Sequence, residues 1–132
     1  MLAANLKITT SDGDIKKIMM LAKHDEIPCV DIITYNKIDY KIREPRAAID
    51  KIYNFYFPGG VLSCTTSQKV LCQGRKIVTV GEALISRLRI HTGSGLCLPH
   101  FIENSSPRAT VFNVTPCGHM NRAAVISSVF CL

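Results

Sequence analysis

The feature that most constrains this chain is how often its apolar runs are cut. Asp12-Gly13, Asn36-Lys37, Pro45, Pro58-Gly59-Gly60, Gln73-Gly74, Gly93-Ser94-Gly95 and Pro116 fall between segments rich in β-branched and aromatic residues. Few stretches long enough for a stable helix remain between them, so many short strands joined by turns are expected. LKITT at 6–10 reads as a strand and SDGD at 11–14 as a turn with Gly13 at positive φ. CVDIITYN and KIDYKIRE read as a hairpin about Asn36-Lys37. VLSCT and KVLCQGRKIVTV read as strands interrupted at Thr66-Ser67 and Gln73-Gly74, and the last third as short strands again.

Helical turns are expected in two places. IKKIMMLAK sets Ile15, Ile18, Met19 and Ala22 at helical spacing, with the Met pair read as core filler, and GEALISRL reads as one or two helical turns. The segment 46–58 fits a strand or a helical turn equally by periodicity, and HTGSGLCLP at 91–99 reads as a loop. No internal repeat is evident.

At 132 residues, 47% hydrophobic and 20% charged, the chain fits one globular domain spanning 1–132. Its N-terminus lacks the basic segment and apolar core of a secretory signal, and no apolar run approaches the length of a bilayer span. A soluble protein is the expectation. Six cysteines without a C-x-x-C pair suggest reduced, mostly buried thiols in a reducing compartment. His24, His91 and His100 show no metal-ligand spacing, Cys97-x-x-His100 is an isolated pair, and neither a metal nor a cofactor is expected.

Residues 1–51 carry nine basic and eight acidic groups, whereas 52–132 carry seven and two. The excess in the second half suits an acidic protein surface or nucleic acid. Yet Lys69, Arg75, Lys76, Arg87, Arg89, Arg108 and Arg122 are scattered along the sequence, without the aromatic interleaving of a single-strand platform, and a solvated surface is the plainer reading.

Three ordered stretches resemble the Hint family of inteins, Hedgehog C-terminal domains and bacterial intein-like domains. In the first, Leu2-Ala3-Ala4-Asn5, Ile8, Asp12-Gly13, Ile18, Leu21 and Asp25 match, with Met1 at the position of the nucleophile. In the second, Cys64-Thr65-Thr66-Ser67-Gln68-Lys69-Val70-Leu71 and Val80-Gly81-Glu82-Ala83-Leu84 match the T-x-x-H motif and its following turn, with Gln68 in place of the histidine. In the third, Val111-Phe112-Asn113-Val114 and His119 match, Val129-Phe130 stands at the terminal His-Asn, and Cys131 at the first residue beyond the domain. The resemblance implies a mainly β, horseshoe-shaped fold of mostly antiparallel short strands.

It also implies a chemistry that these residues do not support. The first step needs a nucleophile at residue 1, and a thioether has no proton to lose. The histidine protonates a leaving amide, which the carboxamide of Gln68 cannot do, although it can hold a carbonyl. Phe130 has no amide to cyclise. Thr65 is either a β-former or a scissile-bond contact, and Asn113 stands where the family often has Asp. His119 reads as a hydrogen-bonded structural histidine and Cys131 as a packed, unactivated thiol. The resemblance therefore implies a catalytically silent domain, kept as a structural or interaction protein whose partners are other subunits of a larger assembly, with a phage or virus particle as one setting. That nothing precedes Met1 and one residue follows Cys131 agrees with the expectation. The alternatives are an autoprocessing domain, native or deliberately inactivated, and a basic nucleic-acid-binding module.

Overall fold

The computed structural model describes residues 1–118 and 121–132, with the backbone but not the side chain of Ser106. Its strands are β1 (Leu2–Ala3), β2 (Lys7–Thr9), β3 (Ile15–Lys17), β4 (Glu26–Asp31), β5 (Lys37–Lys41), β6 (Ala47–Phe57), β7 (Gly60–Cys64), β8 (Lys69–Cys72) and β9 (Lys76–Thr79). Helix α1 (Val80–Ser86) follows, then β10 (Ile90–Thr92), β11 (Gly95–Cys97), β12 (Phe101–Phe112), β13 (Arg122–Ile126) and β14 (Val129–Cys131). Short 3-10 turns cover Ile18–Met20 and Gln73–Arg75. The mainly β expectation holds, with antiparallel pairing between the strands.

Most strands fall into a closed barrel and a larger sheet that share one core, with β2 and β3 paired separately. β1, β12, β6 and β7 form a closed barrel, and the larger sheet runs β11-β10-β8-β14-β13-β4-β5, with β9 also on β8. Leu2, Phe55, Leu62 and Cys64 of the barrel pack with Val70, Ile90, Ala124, Ile126, Val129 and Cys131 of the sheet and Val80 and Ala83 of α1. This apolar surface, removed from water at about 25 cal/mol per Å², is the main cohesive term. A smaller cluster of Val30, Ile32, Leu71 and Ala123, flanked by Val125, Phe130 and Leu132, covers the sheet's outer face.

Helix α1 is short and well begun. Thr79 Oγ1 accepts the Glu82 backbone N–H at 3.1 Å, an N-cap that satisfies one orphan donor. Gly59 in the β6–β7 turn is fixed by crowding: a Cβ there would lie 2.7 Å from Ser128 Oγ in the β13–β14 turn.

Three expectations are corrected, and one left open is decided. IKKIMMLAK is a strand followed by a 3-10 turn, because the Asp12-Gly13 turn folds Ile15–Lys17 back onto β2, pairing Ile8 with Lys16. Hydrogen bonding to a neighbouring strand overrides the helical spacing. Met19 and Met20 then face solvent, 48% and 64% exposed, and are not core filler. HTGSGLCLP contains the β10–β11 hairpin: its glycines make the turn, and Thr92 Oγ1 accepts from Ser94 N at 3.1 Å while donating to Gly95 O at 2.8 Å. Segment 46–58 resolves as the 11-residue strand β6, held between β7 and β12. Its partner β12 runs 12 residues, through Pro107, because register shifts flanking Ser106 absorb a residue without an N–H. Not every strand is short.

Candidate functional site

Residues from both ends of the sequence meet at the segment between β7 and β8. Leu2 pairs with Cys64, which brings Met1 against Thr65. The Met1 nitrogen donates to Thr65 Oγ1 at 3.0 Å and the Met1 carbonyl accepts the Thr65 N–H at 2.9 Å. Thr65 Oγ1 also lies 2.8 Å from Ser67 Oγ, making a hydroxyl pair beside residue 1. Thr65 is buried, and its hydroxyl is held beside residue 1.

At the other end, Cys131 pairs with Val70, and Leu132 N donates to Lys69 O at 3.0 Å. Gln68 closes the arrangement. Its buried carboxamide Nε2 donates to Lys69 O at 2.9 Å and to Leu132 O at 3.1 Å. The loop that carries it is itself fixed, since Gln68 N donates to Thr65 O at 3.2 Å and Gln68 O accepts Val80 N–H at 2.8 Å. A strand, a turn and the first residue of α1 therefore position Thr65 and Gln68 between the first and last residues of the sequence.

The electrostatics favour quiet thiols. Burial pushes the Cys64 thiol up to about 12, and burial, helped by Cys64 itself, raises Cys131 well above the ordinary thiol range. In both thiols desolvation penalises the thiolate. The Met1 side chain packs beside Ala3, Ile52 and Val111 in a satellite apolar cluster. Burial lowers the pKa of the Met1 amine, and the groups around it are hydroxyls and amides that can orient a carbonyl or an amide N–H.

Phe130 is not brought to this place. Val129 and Cys131 point into the core, so the alternation of β14 turns Phe130 to the outer face, where its ring stacks on His91 with centroids 6.1 Å apart. Asn113 is also elsewhere, its Oδ1 accepting the Arg46 backbone N–H and tying the end of β12 to the start of β6. His119 lies outside the described residues. Among the described residues no group of His, Cys, Asp and Glu side chains is arranged to hold a metal, and no helix is long and apolar enough to cross a membrane. All six cysteines are unbridged. Sequence reasoning passed over Ser67 and the Leu132 main chain. Ser67 sits inside the T-x-x-x stretch and was available to it, whereas a main-chain oxygen leaves no trace in residue type.

No protein-family model matches the sequence, and no curated protein matches it either. Solved structures do. The DnaB intein from Synechocystis sp. PCC 6803 superposes with a TM-score of 0.77 at 14% identity, covering 98% of this chain and 95% of that one. A bacterial intein-like domain from Clostridium thermocellum gives 0.77 at 13% identity, over 98% and 96%. The gp41-1 intein gives 0.75 at 11% identity, over 98% and 95%. At such low identity the likeness speaks for the fold, and the conclusion is one of architecture: this chain has the Hint fold, the one adopted by inteins and intein-like domains.

Proposed function

We propose that this chain is a Hint-fold domain that no longer processes its own backbone and serves as a structural or interaction protein. The observation that carries the reading is the use made of Gln68. Where the resemblance calls for an imidazole that hands over a proton, a buried carboxamide holds two main-chain oxygens, at 2.9 and 3.1 Å. A primary amide in this role is a strut, with no accessible proton-transfer chemistry near neutrality. Met1, packed in an apolar cluster, and the deeply buried Cys64 and Cys131 supply no activated nucleophile beside it.

The test is to append reporter peptides before Met1 and after Leu132, incubate the purified fusion with and without added thiol, and follow intact mass. The expected outcome is an uncleaved, unligated fusion that is folded by circular dichroism. Release of either reporter, or their ligation, from the otherwise unaltered chain would overturn the proposal and favour an active autoprocessing domain.

A further inference from the structure

The outer face of the large sheet carries side chains that the sequence scatters. On β10, Ile90 faces the core, so His91 points outward; on β8, Val70 faces the core, so Lys69 and Leu71 point outward; Arg89, immediately before β10, is exposed. Phe130 is turned the same way, and Ile77, paired with Leu71, joins them at 41% exposure. Arg89 is fixed against Gln73, whose Oε1 accepts its N–H at 2.9 Å and whose N–H donates to its carbonyl at 2.9 Å.

The β4–β5 turn then reaches over this face. Tyr35, in the left-handed region at φ 61°, lies with its ring centroid 5.0 Å from that of His91 and its hydroxyl 3.4 Å from His91 Nε2. Arg75 also lies against this ring, its guanidinium 5.4 Å from the Tyr35 centroid while donating to Ile33 O at 2.9 Å. The result is a ladder of Arg75, Tyr35, His91 and Phe130, with Lys69 and Arg89 exposed alongside. None of these three cations pairs with a carboxylate; among the described residues the ion pair present is Lys16–Asp25. The aromatic interleaving that the linear sequence lacks is supplied by the fold.

We propose that this face binds single-stranded nucleic acid, with bases stacking on the Tyr35, His91 and Phe130 rings and Lys69, Arg75 and Arg89 holding phosphates. Rings and cations side by side suit a chain that alternates planar bases with phosphates. An acidic protein segment would answer the cations and leave the rings unused. A duplex would bury its bases away from them. The inference does not depend on whether the domain retains self-processing.

The test is fluorescence anisotropy of the purified protein with a labelled 15-mer oligothymidylate from 20 to 300 mM salt. Unlabelled polyglutamate and a DNA duplex of the same length serve as competitors. The expected result is binding whose log K falls with log salt at a slope of about −2, from three phosphates at about 0.7 each for single strands. Arg89→Glu and Tyr35→Ala should each weaken binding by more than about tenfold, as loss of a phosphate contact or a stacking ring does. Lys23→Glu, the same charge change off this face, should shift it less than about threefold, with circular dichroism confirming that all three variants fold. Three results would overturn the proposal: no binding at the lowest salt, competition by polyglutamate or duplex as strong as by unlabelled oligothymidylate, or insensitivity to Tyr35→Ala. Effective polyglutamate competition would indicate an acidic protein partner instead.

Discussion

Replacing Gln68 by Ala tests whether its carboxamide is a structural strut. The side chain is 5% exposed and its Nε2 donates twice, to Lys69 O at 2.9 Å and Leu132 O at 3.1 Å. Each such bond contributes about 1 kcal/mol net. Lys69 O keeps the Leu132 N–H after truncation, but the Leu132 oxygen loses the side-chain donor that holds it, so the two losses are unequal. Together with the space left behind, the cost comes to about 2 kcal/mol. For a chain of this length that corresponds to a fall in Tm of about 6–10 °C, measurable by circular dichroism and checked by urea unfolding with m unchanged. Gln68→Glu should be worse at pH 7, since it sets an acceptor against two acceptors. It should recover partly as the pH falls through the carboxyl's raised pKa, because the protonated acid again donates one bond. A Tm for Gln68→Ala within about 2 °C of the parent would refute the strut, since that is less than the smallest change two lost buried bonds allow.

Other expectations can be measured on the same protein. Gly59→Ala should lower the urea midpoint by an amount equivalent to about 1–3 kcal/mol, because the new Cβ lies 2.7 and 2.8 Å from Ser128 Oγ and Cβ; an unchanged midpoint would show that the turns part freely. Iodoacetamide on the native chain should modify the half-buried Cys97 and Cys117 and spare Cys29, Cys64, Cys72 and Cys131 until denaturant is added. Peptide mass spectrometry that found Cys131 labelled as fast as Cys97 would contradict the buried thiol. His91 has its pKa lowered, first by burial and then by Arg75, so in the interval below the ordinary histidine value the unfolded chain binds the extra proton. Stability should therefore fall as the pH drops below about 6.5, and His91→Gln should flatten that part of the Tm profile; an unaltered slope would remove His91 as its cause.

What the sequence discloses about this fold depends on how local its cause is. The turns at Asp12-Gly13, Pro58-Gly59 and Gln73-Gly74 are written in the backbone preferences of their own residues, with Gly13 and Gly74 at φ 92° and 70°. Those preferences need no tertiary contact. The strand at Ile15–Lys17 is different: its spacing fits a helix, and only pairing with β2 decides against it. β12 hides for the same reason, because Pro107 looks like an ending until the bulges that accommodate it are seen. At the candidate site, Met1, Thr65 and Gln68 are legible through the order and spacing of motifs. Their convergence with Leu132 is made by strand pairing, which residue types do not record. The ladder from Arg75 to Phe130 is less visible still, since its members lie far apart in sequence and meet through one loop folding over a sheet face.

The placement of β14 makes a further prediction about where a terminal asparagine would have to stand. Motif spacing sets Val129-Phe130 at the family's His-Asn, but a strand alternates faces, and a shift of one residue reverses every side chain. Phe130 lies on the outer face against His91, while Cys131 points inward beside Cys64 and the Leu132 oxygen reaches Gln68 Nε2. An asparagine placed at 130 would therefore face away from Thr65 and residue 1. Combining Met1→Cys and Gln68→His with Phe130→Asn, reporters attached, should then give thiol-induced cleavage at the N-terminal junction at most, and none at the C-terminal one. Cys131 is the inward-facing position, so combining the same two changes with Phe130→His and Cys131→Asn points the amide into the interior beside Cys64, and is the arrangement from which C-terminal cleavage is expected. Mass spectrometry of the two fusions decides. C-terminal cleavage from the Phe130→Asn fusion and none from the Cys131→Asn fusion, with both folded, would show that the facing of β14 does not govern access to the junction.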